Sequence, residues 1–242
     1  METADHIEIL ARQGTAMART AADAGLAATV PTCPGWRVAD LLRHTGQVHR
    51  WATAFITGGL TSHHPAPPAP EADADLLSWF ADGHAALVAA LRAAPAELEC
   101  WTFLAAPSPL AFWARRQAHE TTIHRVDAEA ARGRRVEDIG AEPAVDGIDE
   151  LLSGFHRRSR SKLRTDRPRV LRVRTTDTGD LWTVRLSAEP PVTERGTTTD
   201  PDCELSGPAA QLYQALWNRL PIPSVEGDRA LAELWQERSC IM

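Results

Sequence analysis

The sequence predicts a bundle of four long helices followed by a small α+β domain, and three observations carry that prediction. Apolar residues recur at steps of three and four in three successive stretches up to Ala93, the period of a helix with one buried face, and capping signals mark a fourth helix ending at Gly133. Past Arg160 the period falls to two, as in half-buried strands. Between the helical stretches lie segments dense in proline and glycine, which interrupt regular structure. The expected division places the bundle at residues 1–140 and the α+β domain, with a linking helix, a short sheet and two helices, at 141–242.

The first helix is expected from about Ala4 to Ala24, with Ile7, Leu10, Ala11 and Met17 on one face. Val30-Pro31-Thr32-Cys33-Pro34-Gly35 breaks it. A second helix runs from about Val38 to Ile56, where Leu41, Val48, Trp51 and Phe55 share a stripe with His44. The run from His63 to Pro70 is a loop by composition, with both adjacent histidines in solvent. A third helix is expected from about Ala72 to Ala93, turning Leu76, Phe80, Leu87 and Leu91 inward before Pro95 closes it. Ser108 can cap the fourth helix, Pro109 suits its first turn, and Gly133 can end it in a left-handed conformation. Such bundles build metal sites from facing helices.

One more helix is expected from Pro143 to about Arg160. Leu171 and Val173, then Trp182, Val184 and Leu186, alternate with polar residues on either side of Asp177-Thr178-Gly179-Asp180, a hairpin pattern. Further strands are expected near Val192–Arg195 and Cys203–Leu205, and helices near Pro208–Arg219 and Asp228–Arg238.

Composition narrows the chemistry. The net charge of -6 disfavours a nucleic-acid partner for the whole chain. Half of the residues from Arg157 to Arg174 are basic, which reads either as an anion-binding patch or as a solvated helix end and the outer face of a strand; scarce aromatics favour the latter. Lys162 is the only lysine and follows no Gly-rich loop, so Schiff-base and phosphate-loop chemistries are set aside. Cys33, Cys100, Cys203 and Cys240 form no C-x-x-C pair, and the charged N-terminus resembles no signal peptide. With no stretch approaching a membrane span, free thiols in a reducing cytoplasm are the expectation.

Glu120 and His124 stand four residues apart in the fourth helix. A four-residue step returns to within about 40° of its starting direction and climbs about 6 Å, so the carboxylate and the imidazole share a face. The pair reads either as an exposed side-chain contact or as two ligands of a divalent cation awaiting a third. His44, on the stripe of the second helix, is either a hydrogen-bonded core residue or that third ligand.

Two segments together, VPTCPGWRVADLLRHTGQVHRW (Val30–Trp51) and AHETTIHRVDAE (Ala118–Glu129), resemble the mycothiol-dependent maleylpyruvate isomerase family, within the DinB/YfiT-like superfamily of metal-binding four-helix bundles. The segment LSGPAAQLYQALWNRL…VEGDRALAELW looks like that family's C-terminal domain, similar to sterol-carrier-type α+β folds, so the resemblance covers nearly the whole chain. By motif position it implies that His44, Glu120 and His124 hold the metal. It also implies mycothiol as cofactor, conversion of maleylpyruvate to fumarylpyruvate, and a carboxylate-binding role for Arg219. The family usually has Thr or Ser after the PGW tripeptide to cap the second helix; here the residue is Arg37, which puts that cap in doubt.

Three nitrogen and oxygen ligands suit zinc and leave one position for an external donor, the pattern of a catalytic centre. A thiol held there ionises near neutral pH and can add reversibly to an activated double bond, which turns as a single bond before the thiolate leaves. No cysteine of the chain lies in a motif that places it at the metal, so the cofactor supplies the sulfur. Asp127 or Gln47 is expected to orient a ligand imidazole, whereas His119 and Arg125 point about 100° away from their ligand neighbours. The expected partners are a small-molecule substrate and mycothiol, with no nucleic acid and no membrane. Two alternatives remain at this point: a mycothiol S-transferase acting on another electrophile, and a metal-binding regulatory protein without turnover.

Overall fold

Ile7, Leu10 and Met17 fall on one side of the first helix, α1 (Thr3–Ala24), and burying that stripe holds it in place. In the computed structural model, which describes residues 1–133, 139–196 and 200–241, the chain divides into two compact units, Met1–Glu137 and Asp138–Met242.

The N-terminal unit adds α2 (Val38–Gly58), α3 (Leu76–Ala93) and α4 (Pro109–Ala131). α1 packs on α4 and α3, while α2 packs on α3 and α4, so the order around the bundle is α1–α3–α2–α4. Both the α1–α2 and the α3–α4 connections therefore cross a diagonal. This ring order makes α2 and α4 neighbours although α3 separates them in sequence. Between the helices lies a core of Met17, Ala21, Val38, Leu41, Leu42, Leu76, Phe80 and Ala128.

The connection from α1 to α2 is a closed loop, not a slack one. Val30 N–H donates to the Trp36 carbonyl at 2.9 Å, and Thr29 bridges Arg37. Inside it Trp36 N–H returns to the Cys33 carbonyl at 3.0 Å around Pro34 and Gly35, whose φ of 85° requires glycine there. At the start of α2, Arg37 offers no side-chain cap. Its own N–H is taken by the Asp40 carboxylate at 2.9 Å, so the cap comes from inside the first turn.

α3 begins at Leu76, later than the expected Ala72. The cause is Arg43, whose guanidinium donates to the carbonyls of Pro70 at 3.0 Å and Glu71 at 2.9 Å and pairs with Asp73, holding this stretch out of the helix. α4 begins as the sequence indicates: Ser108 Oγ accepts the Ala111 N–H at 3.1 Å, with Pro109 in the first turn. Past its end, Gly133 is left-handed, with φ of 70°.

The C-terminal unit opens with α5 (Ala141–Asp149), which widens into a π-helical turn over Glu150–Phe155 and stops short of Arg160. The sheet accounts for the widening. The Thr193 hydroxyl donates to the Leu152 carbonyl at 3.0 Å, and Trp182 and Arg195 both donate to the Asp149 carboxylate.

Strands β1 (Arg169–Thr175), β2 (Leu181–Leu186), β3 (Val192–Arg195), β4 (Cys203–Gly207) and β5 (Ser224–Gly227) form one sheet in the order β3-β2-β1-β4-β5. β1 and β2 are the expected hairpin, with Val173 opposite Trp182 and Leu171 opposite Val184, all four buried. β1 and β4 run parallel, and every other pairing is antiparallel. Helices α6 (Ala209–Leu216) and α7 (Arg229–Arg238) complete the unit, joined by Trp235 Nε1–H donating to the Leu216 carbonyl at 3.0 Å. Several arginines of the basic run are neutralised on the sheet: Arg172 and Arg174 pair with Glu204, and Arg169 pairs with Asp202 and Asp228. No described helix is long and apolar enough to cross a membrane.

Candidate metal centre

α4 carries the site, and its composition is unusual for a helix so thoroughly buried. Arg116, Gln117, His119, Thr121, Thr122, Arg125, Asp127 and Glu129 are all buried along with its apolar residues. Buried polar groups need partners, and those on the α2-facing side assemble the centre.

Glu120 and His124 lie one turn apart on α4, and His44 comes from α2. His44 Nε2 and His124 Nε2 each stand 3.2 Å from Glu120 Oε1, and one donor atom from each residue lies within 4.8 Å of both others. In a tetrahedral centre with bonds of about 2.0–2.1 Å, neighbouring donors stand about 3.3 Å apart. The donor set therefore fits a small divalent cation in chemistry, and its two Glu120–histidine separations match that spacing. Access is graded, from 40% exposure at the His44 side chain through 20% at Glu120 to 10% at His124, so the centre opens to solvent on the His44 side.

The groups behind the donors set their protonation. His124 Nδ1–H donates to Asp127 Oδ2 at 2.9 Å, which leaves Nε2 turned toward Glu120. Thr32 Oγ1–H donates to Asp127 Oδ1 at 2.5 Å, tying the α1–α2 loop to the same carboxylate. Burial by itself would lower the His124 pKa, but the hydrogen bonds to Asp127 and Glu120 outweigh it and raise it to about 9. Burial likewise disfavours the Glu120 anion, yet His124, His44 and Arg116 together hold its carboxyl well below the ordinary value.

Arg116, one turn before Glu120 and 3% exposed, brings Nη2 to 3.3 Å from Glu120 Oε2. The Trp36 ring covers the imidazoles, 5.2 Å from His44 and nearly parallel to His124 at 6.3 Å. Behind Glu120, the buried His49 meets the Thr121 hydroxyl at 2.9 Å; burial and the neighbouring His84 push its pKa down to about 3.

The structure thus brings His44, Glu120, His124 and Asp127 together. Gln47 is placed elsewhere: its side-chain amide donates to the Pro67 carbonyl at 3.0 Å, at the surface loop between α2 and α3. His119 sets its ring edge-on to His6 of α1 at 5.9 Å, and Arg125 pairs with Glu129 at 2.6 Å, both partners 1% exposed. His63 and His64 are exposed. Arg219 lies just past α6 in the C-terminal unit, where its Nη1 donates to the Trp217 carbonyl at 2.7 Å. Sequence reasoning missed three residues at the centre, namely Arg116, Thr32 and Trp36. The i, i+4 spacing of Arg116 to Glu120 was a signal available to it; for Thr32 and Trp36 the only signal was membership of the PTCPGW segment.

Two solved structures share the fold. A crystal structure of the mycothiol-dependent maleylpyruvate isomerase as a histidine-to-alanine mutant superposes with a TM-score of 0.61 at 14% identity, covering 93% of this chain and 97% of the other. A second crystal structure of the mycothiol-dependent maleylpyruvate isomerase gives 0.55 at 13% identity, covering 88% of each chain. At these identities the likeness is one of fold. No curated protein matches the sequence. The family models reach further: the mycothiol maleylpyruvate isomerase N-terminal domain matches residues 7–129, and the MDMPI C-terminal domain matches 142–234. Spanned almost from end to end by this pair of domains in their expected order, the chain belongs to the mycothiol maleylpyruvate isomerase family.

Proposed function

We propose that this protein is a metal- and mycothiol-dependent cis-trans isomerase of the maleylpyruvate isomerase type, with the cation, most suitably zinc, held by His44, Glu120 and His124. The observation that carries the proposal is the convergence of these three donors from two helices, with both imidazole Nε2 atoms 3.2 Å from Glu120 Oε1, inside a domain matched to the family. When bound, the cation and the cofactor thiol supply a thiolate near neutral pH that can add to, and leave from, an activated double bond.

The chain's own residues prepare that chemistry. Glu120 contributes the single negative charge of the donor set, and two neutral imidazoles leave a strongly electrophilic centre. Asp127 fixes the His124 tautomer through Nδ1, so that Nε2 is the donor. Trp36 walls one side with an apolar ring, while the exposed His44 side is the approach for a thiol and an electrophile. Within the same proposal Arg219 binds a substrate carboxylate, because a guanidinium matches that group with two hydrogen bonds. The C-terminal domain, proposed as residues 141–242, carries this arginine.

The test is chemical. The zinc-loaded protein is incubated with mycothiol and maleylpyruvate and monitored for fumarylpyruvate, then with mycothiol and monobromobimane. Isomerisation supports the proposal. Conjugation of the bimane without isomerisation reassigns the protein as a mycothiol S-transferase. Silence in both assays from a metal-loaded, folded protein overturns the enzymatic reading in favour of a binding protein.

A further inference from the structure

Glu120 presents two oxygens in different surroundings. Oε1 faces the two imidazoles at 3.2 Å each, and Oε2 faces the Arg116 guanidinium at 3.3 Å. From this asymmetry we infer that Arg116 is a positioning residue that reserves Glu120 as a one-oxygen ligand and so keeps a place beside the cation for the thiol. The inference rests on the proposed function in taking a cation to be held by Glu120. It goes beyond it in assigning a role to a side chain that is not itself a ligand.

A carboxylate can hold a cation through one oxygen or through both. Gripping through both would fill a second position of a small centre, the position an incoming sulfur needs. What decides between the two modes is the alternative open to the second oxygen. Here that alternative is a charge-assisted hydrogen bond from a guanidinium. Arg116 is 3% exposed, so water does not compete freely for its guanidinium. The two residues sit four apart on the rigid α4, so their separation is set by the helix and not by a loop.

The placement also makes little sense as a device for affinity. A fixed positive charge beside a ligand opposes a cation electrostatically, and it offsets the one negative charge of the donor set. A site selected only to retain metal would do better with a neutral donor to Oε2. A site that must keep its cation electrophilic and one position vacant is served by an arginine.

The experiment uses the full chain with Arg116→Met and Arg116→Lys, each first checked for folding and for cobalt and zinc stoichiometry. The expected result for Arg116→Met is one metal per chain, visible absorption bands of the cobalt form weakened as for added coordination, and a dissociation constant for mycothiol raised about tenfold or more. Arg116→Lys, which can still hold Oε2, should recover much of the wild-type spectrum and thiol affinity. An Arg116→Met protein with wild-type cobalt bands and wild-type mycothiol affinity overturns the inference, because a merely structural arginine would leave both unchanged. If Arg116→Met fails to fold, a crystal structure of the zinc-loaded wild type decides. Oε2 on Arg116 and away from zinc supports the inference, and both oxygens on zinc overturn it. Failure of the wild type to bind zinc or cobalt at all is a separate outcome, which overturns the proposed metal centre and this inference with it.

Discussion

Replacing Asp127 with asparagine tests the electrostatic design of the centre with little change of shape. Asp127 is fully buried and accepts from His124 Nδ1 at 2.9 Å and from Thr32 Oγ1 at 2.5 Å. The asparagine amide has one oxygen where the carboxylate has two, so one of these donors faces an N–H and loses its acceptor. The negative charge that makes the imidazole a better donor is lost as well. Changes behind a metal-ligating histidine typically weaken metal binding by about 10–100-fold, or about 1.4–2.7 kcal/mol. The lost charged hydrogen bond costs about 1.5–3 kcal/mol of folding stability in addition. Competition titration of zinc against a chromophoric chelator measures the first quantity, and urea unfolding of the metal-free protein measures the second. Thr32→Val is the control, since it frees the loop from Asp127 but leaves the Asp127–His124 bond in place; it should cost stability with a smaller loss of zinc affinity. A folded Asp127→Asn protein that binds zinc within about twofold of wild type would refute the assigned role of this carboxylate.

Other expectations follow from the same geometry. Glu120→Gln and His124→Ala should each lower zinc content sharply, measured by atomic emission, while circular dichroism still reports a helical bundle because the apolar stripes are untouched. With the His124 pKa raised to about 9 in the metal-free protein, zinc binding at neutral pH should release a proton and tighten as pH rises toward that value. Calorimetry in buffers of different ionisation enthalpy checks the release. Arg219→Ala should raise KM for the substrate while leaving mycothiol affinity near wild type; an unchanged KM would count against its role. His156 in the C-terminal unit is buried, and burial lowers its pKa from 6.5 to about 4. The unfolded chain takes up that proton first, so the stability it contributes is whole above about pH 6.5 and is lost as pH falls toward 4, by about 3 kcal/mol. His156→Phe should flatten that part of the stability–pH curve in denaturant titrations.

Much of the architecture was legible because it is set locally. Ser108 and Pro109 mark the start of α4 by capping chemistry alone, and Leu171, Val173, Trp182 and Val184 disclose a hairpin by alternation. Where the structure departs from expectation, a distant side chain intervenes. Arg43 on α2 captures the carbonyls of Pro70 and Glu71 and delays α3. Thr193 on β3 draws on the Leu152 carbonyl at the π-helical turn. β5 went unrecognised because Ser224–Gly227 has no periodicity of its own and becomes a strand only by pairing with β4. α4 hides its importance from hydropathy altogether, since it buries polar residues around its circumference and has no apolar stripe to read.

The sequence by itself determined the four long helices, the change of period beyond them, and the placing of Glu120 and His124 on one face of one helix. Those features depend on residues within a turn or two of one another, where backbone geometry leaves few choices. Only the tertiary structure decided that α2 lies beside α4, that Thr32 and Trp36 close over the histidines, and that Gln47 turns away to Pro67. Such meetings depend on which faces bury the most apolar surface once both diagonal crossings are made. No local spacing encodes that balance.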